Sequence, residues 1–197
     1  MRKLSIAVVA ISVAASMAWA QEKGKGKGKG KGGGGIPAPI TITSPAYPDG
    51  GKIPAKYGCA AQGQSGGVSP AISWSGAPAN TAAYALIMHD PDVMFNGADV
   101  LHWAIFDIPG GTVSLPENLD KKPELPDGSK QLNNIAGMPG YFNPCPPPPT
   151  THHYIIEMYA LNQKLDLPAS TSRADLEKAL GMHVIAKGVY VGTYKIP

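Results

Sequence analysis

The chain has 197 residues, of which 43% are hydrophobic and 16% are charged, and this balance predicts one globular domain with an additional segment at one end. The formal charge of +3 originates in that additional segment, because from Ile36 onward the chain has 10 basic and 13 acidic residues. A mildly acidic domain gives no argument for nucleic-acid binding, so we expect no nucleic-acid partner.

The first 20 residues have the pattern of an export signal. A basic start, Met1-Arg2-Lys3, precedes an apolar run from Leu4 to Met17 and a small-x-small ending, Ala18-Trp19-Ala20. This pattern predicts a secretory signal peptide cleaved after Ala20. A membrane anchor is the alternative, but the apolar run is shorter than the roughly 20 residues that a span needs. We therefore expect a periplasmic or secreted protein with no transmembrane span.

Residues 21–35 are dominated by alternating lysine and glycine. Such a segment has nothing apolar to bury, so we expect a flexible tail. A solvated linker is the favoured interpretation, and a weak electrostatic tether to an anionic surface or polymer is the alternative. The folded domain then comprises residues 36–197.

Two apolar runs in the middle of the chain predict neighbouring strands, residues 83–89 and 102–108. Earlier candidate strands are residues 40–43, where every side chain is β-branched, and residues 71–74. The polar connection between the two central strands contains His89-Asp90-Pro91-Asp92 and leads to His102-Trp103. Because binding groups concentrate in loops on a rigid scaffold, we expect the functional site here.

The second half of the chain adds little helix. Residues 109–142 contain no clear regular run, which is typical of a functional or mobile excursion. The four prolines 146–149 must be extended and outside a sheet. Residues 154–161 and 189–196 predict two further strands. Ser172 and Asp175 form the pattern of a helix start, and Gly181 is expected to end or kink that helix. The predicted fold is mainly β: an antiparallel β-sandwich with one or two short helices near the C-terminus.

The two cysteines, Cys59 and Cys145, leave two alternatives open. An even number of cysteines in an exported protein permits one disulfide bond. Free thiols are equally compatible with the sequence, because spacing alone does not show that the two residues approach each other. Two isolated thiols without further ligands nearby make a poor zinc site.

Several polar side chains have the chemistry of a small anion pocket. Asp90 and Asp92 can accept a ring N–H from His102 or His152, which orients the imidazole and raises its pKa so that it presents a positive donor. Tyr154 follows His152 by two strand positions and therefore shares its face. Backbone N–H groups of the segment from Gly140 to Pro144 can add donors without charge.

Each of these residues, taken alone, also has a more ordinary structural or chemical interpretation. Asp-Pro-Asp alone is more often a turn, and a histidine before a tryptophan is more often a partly buried strand residue. Histidine and aspartate together suit a divalent metal, but no ligand spacing such as His-x-x-x-His occurs. Gly63-Gln64-Ser65-Gly66-Gly67 has the Gly-x-Ser-x-Gly spacing of a serine hydrolase, but it lies in a polar, glycine-rich loop and not after an apolar strand. Since no nucleophile with an adjacent base is found either, we predict a protein that is not an enzyme, with no metal and no cofactor.

The order of many short motifs resembles that of one known family. The motifs are Ser44-Pro45-Ala46-Tyr47-Pro48-Asp49-Gly50-Gly51, Ser69-Pro70-Ala71-Ile72-Ser73-Trp74, Asp90-Pro91-Asp92, His102-Trp103, Gly140-Tyr141, Pro144-Cys145-Pro146-Pro147, His152-His153-Tyr154 and Val191-Gly192-Thr193-Tyr194. In this order they are similar to the phosphatidylethanolamine-binding proteins, also called Raf kinase inhibitor proteins, in their bacterial branch. The resemblance covers about residues 40–194.

The resemblance implies a β-sandwich with a small pocket for phosphate, acetate or a phosphorylated head group. The family's pocket residues correspond here to Asp90, Asp92, His102, Gly140, His152 and Tyr154. The chain departs from the family pattern where Val93-Met94 replaces a common Ala-Pro and where His153 replaces a common arginine.

We therefore expect an exported binding protein for a small anionic or phosphorylated ligand that modulates a partner protein such as a kinase or a protease. The alternative is a kinase or protease inhibitor that acts through its surface loops, with an incidental pocket.

Overall fold

A computed structural model of the chain describes residues 39–63 and 67–197. The predicted signal peptide, residues 1–20, and the Lys-Gly tail, residues 21–35, lie outside the described residues. In the described part, no helix is long and apolar enough to cross a membrane.

The larger of two sheets has six strands. In spatial order they are β2, β9, β8, β4, β5 and β7. Their bounds in chain order are Gly51–Lys52 for β2, Ala83–Phe95 for β4, Ala98–Pro109 for β5, Lys130–Gln131 for β7, His152–Leu161 for β8 and Val184–Tyr194 for β9. All neighbours pair antiparallel except β2 and β9, which pair parallel at the edge.

The smaller sheet has three strands: β1 (Thr41–Thr43), β3 (Ile72–Ser75) and β6 (Ser114–Leu115), in the order β1-β3-β6. Its apolar side chains, such as Ile42 and Trp74, share one buried cluster with Leu86, Met88 and Ile156 of the larger sheet. The main core therefore lies between the two sheets, as the predicted sandwich requires. The mainly β fold is confirmed, although the larger sheet is mixed rather than purely antiparallel.

The opposite face of the larger sheet is covered by helix α2, Arg173–His183. Leu176 and Leu180 of this helix pack against a second apolar cluster that includes Ala85, Ile87 and Phe106. Because both faces of the sheet are covered here, the consecutive residues 83–88 are all buried. This explains why the first six residues of β4 form an unbroken apolar run and do not alternate.

The start of α2 agrees with its predicted cap. The Asp175 backbone N–H donates to Ser172 Oγ at 3.1 Å, and the Ser172 hydroxyl donates to the Asp175 carboxylate at 2.6 Å. The helix does not end at Gly181, since it continues to His183.

The polar connection predicted between residues 89 and 102 is a continuation of the two central strands. β4 extends to Phe95 and β5 begins at Ala98, with Asn96 and Gly97 at positive φ (52° and 82°) forming the turn. Asn-Gly is the typical sequence of a two-residue hairpin turn. Asp90 pairs with Val100 and Met94 pairs with Asp99, so a β-bulge holds the three residues between Asp90 and Met94. A bulge re-aims side chains at the edge of a site.

The segment around Cys59 contains two short helical turns. Residues Cys59–Gln62 form a one-turn helix, α1, preceded by a 3₁₀ turn at Ala55–Tyr57. Cys59 and Cys145 are joined by a disulfide bond, with their Cα atoms 5.3 Å apart. The bond connects the 3₁₀–α1 segment to the proline-rich segment that precedes β8, and the four prolines lie outside every strand.

Candidate functional site

The bulge that follows Asp90 helps to hold the Asp90 carboxylate in place. The Asp92 backbone N–H donates to Asp90 Oδ1 at 2.9 Å, a local turn typical of aspartate. Asp90 Oδ2 accepts from His152 Nδ1 at 2.8 Å. The Asp90 residue is only 3% exposed. Each carboxylate oxygen therefore has a donor, as a buried charge requires.

The His152 ring has a partner at each nitrogen. Nδ1 faces the Asp90 carboxylate, and Nε2 lies 3.3 Å from Thr150 Oγ1. The Thr150 hydroxyl donates to the Pro147 carbonyl. Since the Thr150 hydrogen is used in this bond, Thr150 Oγ1 faces His152 Nε2 as an acceptor, and both ring nitrogens have an acceptor in reach.

The His102 ring is in a different environment from the one expected. Its Nδ1 donates to the Phe142 carbonyl at 2.9 Å, not to a carboxylate. Burial is the strongest influence and lowers the pKa of His102, although the Phe142 carbonyl and the Asp90 carboxylate act in the opposite direction. The expected raised pKa is therefore wrong for His102. With Nδ1 protonated, the uncharged ring presents the lone pair of Nε2 as an acceptor.

Tyr154 completes the floor of the site. Its ring stands edge-on to the His102 ring, with centroids 5.0 Å apart. Burial, followed by the negative charge of Asp90, raises the pKa of the Tyr154 phenol above its ordinary value. The phenol therefore stays protonated and remains a hydrogen-bond donor.

These side chains surround a cavity of about 260 Å³. Four of the six predicted site residues line it, and the others around it are apolar or come from the proline-rich segment. The lining residues are Asp90, Val93, Val100, His102, Ile135, Phe142, Cys145, Pro146, Pro147, His152 and Tyr154. The strand alternation predicted for His152 and Tyr154 agrees with the structure, since both are buried and the intervening His153 is exposed.

Asp92 does not line this cavity. Its carboxylate points to the exposed side of β8, where Oδ2 accepts from the His153 backbone N–H at 2.6 Å and from His153 Nδ1 at 2.9 Å. Partial burial disfavours the ionised form, but the two hydrogen bonds from His153 outweigh it and hold the pKa of Asp92 below its ordinary value. Within the site, Asp92 contributes its backbone N–H to Asp90 and not its side chain.

Gly140 does not line the cavity either. Its φ is +88° and a Cβ there would lie 3.1 Å from the Lys121 side chain, so glycine is needed for the backbone turn. The segment after this turn runs beside β5, where the Phe142 N–H donates to the His102 carbonyl at 2.8 Å. This N–H is therefore not free for an anion, in contrast to the donor role expected for the segment 140–144.

Phe142, Thr150 and the apolar rim were not identified from the sequence. Asn96-Gly97 was the available signal, because a hairpin turn there places Val93 and Val100 on facing strands beside Asp90. No local sequence pattern indicates that the Phe142 carbonyl contacts His102 or that Thr150 contacts His152. Among residues 39–63 and 67–197, no three His, Cys, Asp or Glu side chains are grouped so that they could hold a metal ion.

A sequence model described as phosphatidylethanolamine-binding protein matches residues 43–195. This chain belongs to the phosphatidylethanolamine-binding protein family. A UPF0098 protein from Methanothermobacter thermautotrophicus is 38% identical over 150 residues, which cover 76% of this chain and 95% of the relative. A Mycobacterium tuberculosis relative that carries the name lipoprotein LppC is 34% identical over 157 residues, covering 79% of this chain and 72% of that protein.

Solved structures of the family have the same fold. E. coli YbcL, described as a member of the mammalian PEBP family, superposes with a TM-score of 0.71 at 28% identity, covering 81% of this chain and all of YbcL. The PEBP homologue CT736 from Chlamydia trachomatis superposes with a TM-score of 0.69 at 31% identity, covering 80% of this chain and 97% of that one. The described residues therefore have the fold of these two family members.

Proposed function

We propose that this family member is a binding protein that takes phosphate or a phosphorylated head group into the cavity between Asp90, His102, His152 and Tyr154. The observation that carries the proposal is the convergence of two histidine rings and a protonated tyrosine on one cavity of about 260 Å³. Imidazole N–H and phenol O–H groups are suitable donors to phosphate oxygens. A cavity of this size, slightly below the usual range for drug-sized ligands, suits a small group.

The hydrogen-bonding capacity of the cavity favours a singly charged phosphate. Tyr154 can donate to a phosphate oxygen. His152 Nε2 can do so when both ring nitrogens carry a proton, by exchanging its 3.3 Å contact with Thr150. The uncharged His102 ring offers an acceptor at Nε2, which the P–O–H of a phosphate monoanion can satisfy. The nearby Asp90 carboxylate disfavours a second negative charge on the ligand. We therefore expect tighter phosphate binding as the pH falls from about 8 to about 6.

The apolar rim supports a phosphate ester over free phosphate. Phe142, Pro146, Pro147 and Ile135 surround the polar floor. A small organic substituent on the phosphate would contact these side chains and bury apolar surface, which inorganic phosphate does not do.

We also propose that the protein is exported. The first 20 residues have the composition of a signal peptide, and the Cys59–Cys145 disulfide suits an oxidising compartment. The name of the Mycobacterium tuberculosis relative, a lipoprotein, is compatible with this location. The mass of the mature protein from a periplasmic or culture fraction tests the proposal, with the expected N-terminus at Gln21.

The binding proposal is tested by titrating the mature protein with phosphate and with phosphoethanolamine while the five histidine ring resonances are followed by NMR. We expect shifts for His102 and His152, and their loss in His102→Gln and in His152→Gln. His183→Gln is the control, because this histidine ends helix α2 and does not line the cavity.

Unmoved His102 and His152 resonances at millimolar ligand would refute the pocket assignment. The function would then have to be sought in a protein partner, as the inhibitor alternative supposes. If the protein modulates a partner through the pocket, phosphoethanolamine should compete with that partner. Modulation that persists in His102→Gln would place the contact on the surface loops.

A further inference from the structure

A second cavity, of about 500 Å³, lies where the parallel strands β2 and β9 end. Lys52 pairs with Thr193 across these strands, and Lys195 follows two residues later in the chain. The cavity shares no lining residue with the His102–His152 site. We name it the edge cavity. Its volume is within the usual range for small-molecule sites.

The edge cavity has an apolar interior. Ile53 and Tyr194 line it and are 5% and 3% exposed. Ile196 adds a partly buried side chain at the same place. Because Ile53 and Tyr194 are already almost fully covered, the apolar surface left for a ligand is mainly that of Ile196, Ala55 and Pro197. Burying this surface is a source of favourable binding free energy.

The charged side chains that line the edge cavity are both lysines. Lys52 and Lys195 line it, and no aspartate or glutamate side chain does. Four other lysines of the domain form ion pairs, but neither Lys52 nor Lys195 has such a partner among the described residues. In a domain with a net negative charge, two unpaired ammonium groups at one cavity favour an anion there.

We propose that the edge cavity binds a small amphipathic anion, in which one acidic group is attached to an apolar chain or ring. The acidic group pairs with the ammonium groups of Lys52 and Lys195. The apolar body packs against Ile196, Ala55 and Pro197. This site is independent of the proposed phosphate pocket and would give the protein a second ligand of a different chemical class.

The test uses octanoate as the probe and the mature protein labelled with ¹⁵N. We expect saturable shifts of the Ile53 and Thr193 amides. Acetate has the charge without the apolar body, and octanol has the apolar body without the charge. Each should bind with less than about a tenth of the affinity of octanoate. The dissociation constant for octanoate should rise with added salt, because the lysine ammonium groups are exposed.

The lysines are tested with a double variant, Lys52→Gln with Lys195→Gln, which should weaken octanoate binding about tenfold. Lys178→Gln is the matched control, because Lys178 is an exposed lysine of helix α2 without an ion pair. An unchanged amide spectrum of the double variant elsewhere in the domain would show that it is folded.

Three results would overturn the proposal: equal binding of octanoate by the double variant, equal weakening by Lys178→Gln, or shifts that map to the His102–His152 cavity. If His102→Gln loses phosphate binding but still binds octanoate, the two sites are distinct. Octanoate binding lost in His102→Gln would assign the probe to the phosphate pocket and refute a separate edge site.

Discussion

Asp90 and Asp92 offer a matched comparison of a buried and an exposed ion pair within three residues of chain. Asp90 lies 2.8 Å from His152 and Asp92 lies 2.9 Å from His153. The side chains of the first pair are 4% and 10% exposed, and those of the second pair are 37% and 55% exposed. The two pairs have nearly the same distance and chemistry, so burial is the main difference between them.

Replacing Asp90 with asparagine keeps the volume of the side chain and removes its charge. The asparagine oxygen can still accept from the Asp92 N–H, but its NH₂ then faces His152 Nδ1, which is also a donor. The variant loses a hydrogen bond to a carboxylate, worth about 1.5–3 kcal/mol, and leaves a buried histidine N–H facing another donor. We expect the free energy of unfolding to fall by about 3 kcal/mol, because an unsatisfied buried donor adds its own desolvation penalty to the lost bond.

Asp92→Asn should have a much smaller effect. Its oxygen can still accept from the His153 backbone N–H, and an exposed ion pair contributes at most about 1 kcal/mol. Urea unfolding at about pH 7, followed by tryptophan fluorescence, measures both variants. A double-mutant cycle of Asp90→Asn with His152→Gln should give a coupling of about 2 kcal/mol.

Equal losses for Asp90→Asn and Asp92→Asn would refute this reasoning, because burial would then not determine the strength of the pair. A loss below about 1 kcal/mol for Asp90→Asn would show that His152 finds another partner in the folded protein.

Three further predictions concern stability. Burial lowers the pKa of His102 in the folded protein. Below about pH 6.5 the unfolded chain therefore takes up a proton more readily than the folded one. The contribution of His102 to the free energy of unfolding is fully present above that pH and is lost as the pH falls. His102→Gln should therefore show a smaller decrease in unfolding free energy between about pH 7 and about pH 5 than the wild type. Ser172→Ala removes the cap of helix α2 and should cost about 1 kcal/mol in urea unfolding. Reducing the Cys59–Cys145 bond, whose cysteines are 86 residues apart, should lower the unfolding free energy by about 3–4 kcal/mol, measured in urea with and without dithiothreitol.

Each of these three stability predictions would be contradicted by a specific result. Identical pH profiles for the wild type and His102→Gln would mean that another group causes the acid destabilisation. A loss below about 0.3 kcal/mol for Ser172→Ala would mean that the cap is replaced by solvent. An unchanged urea midpoint after verified reduction would mean that the bond does not restrict the unfolded chain.

The sequence by itself determined the features that depend on neighbouring residues. The apolar runs that become the centres of β4, β5 and β8 are visible because burial imposes a short-range pattern on each strand. The Ser172–Asp175 helix start is visible because the cap and its partner are three residues apart. The order of the short motifs, taken together, indicated the family and thereby the mainly β fold.

The tertiary structure alone decided how the site residues meet. The pair Asp90 and His152 is separated by 62 residues, and His102 and its Phe142 acceptor by 40. The bulge after Asp90 turns the Asp92 side chain toward His153 and away from the cavity, and no local pattern distinguishes the two aspartates. Burial then sets the direction of the His102 pKa shift, because the free energy of a charged ring depends on everything that surrounds it. Partner, orientation and protonation are properties of the packed chain, since they arise from atoms that folding alone brings together.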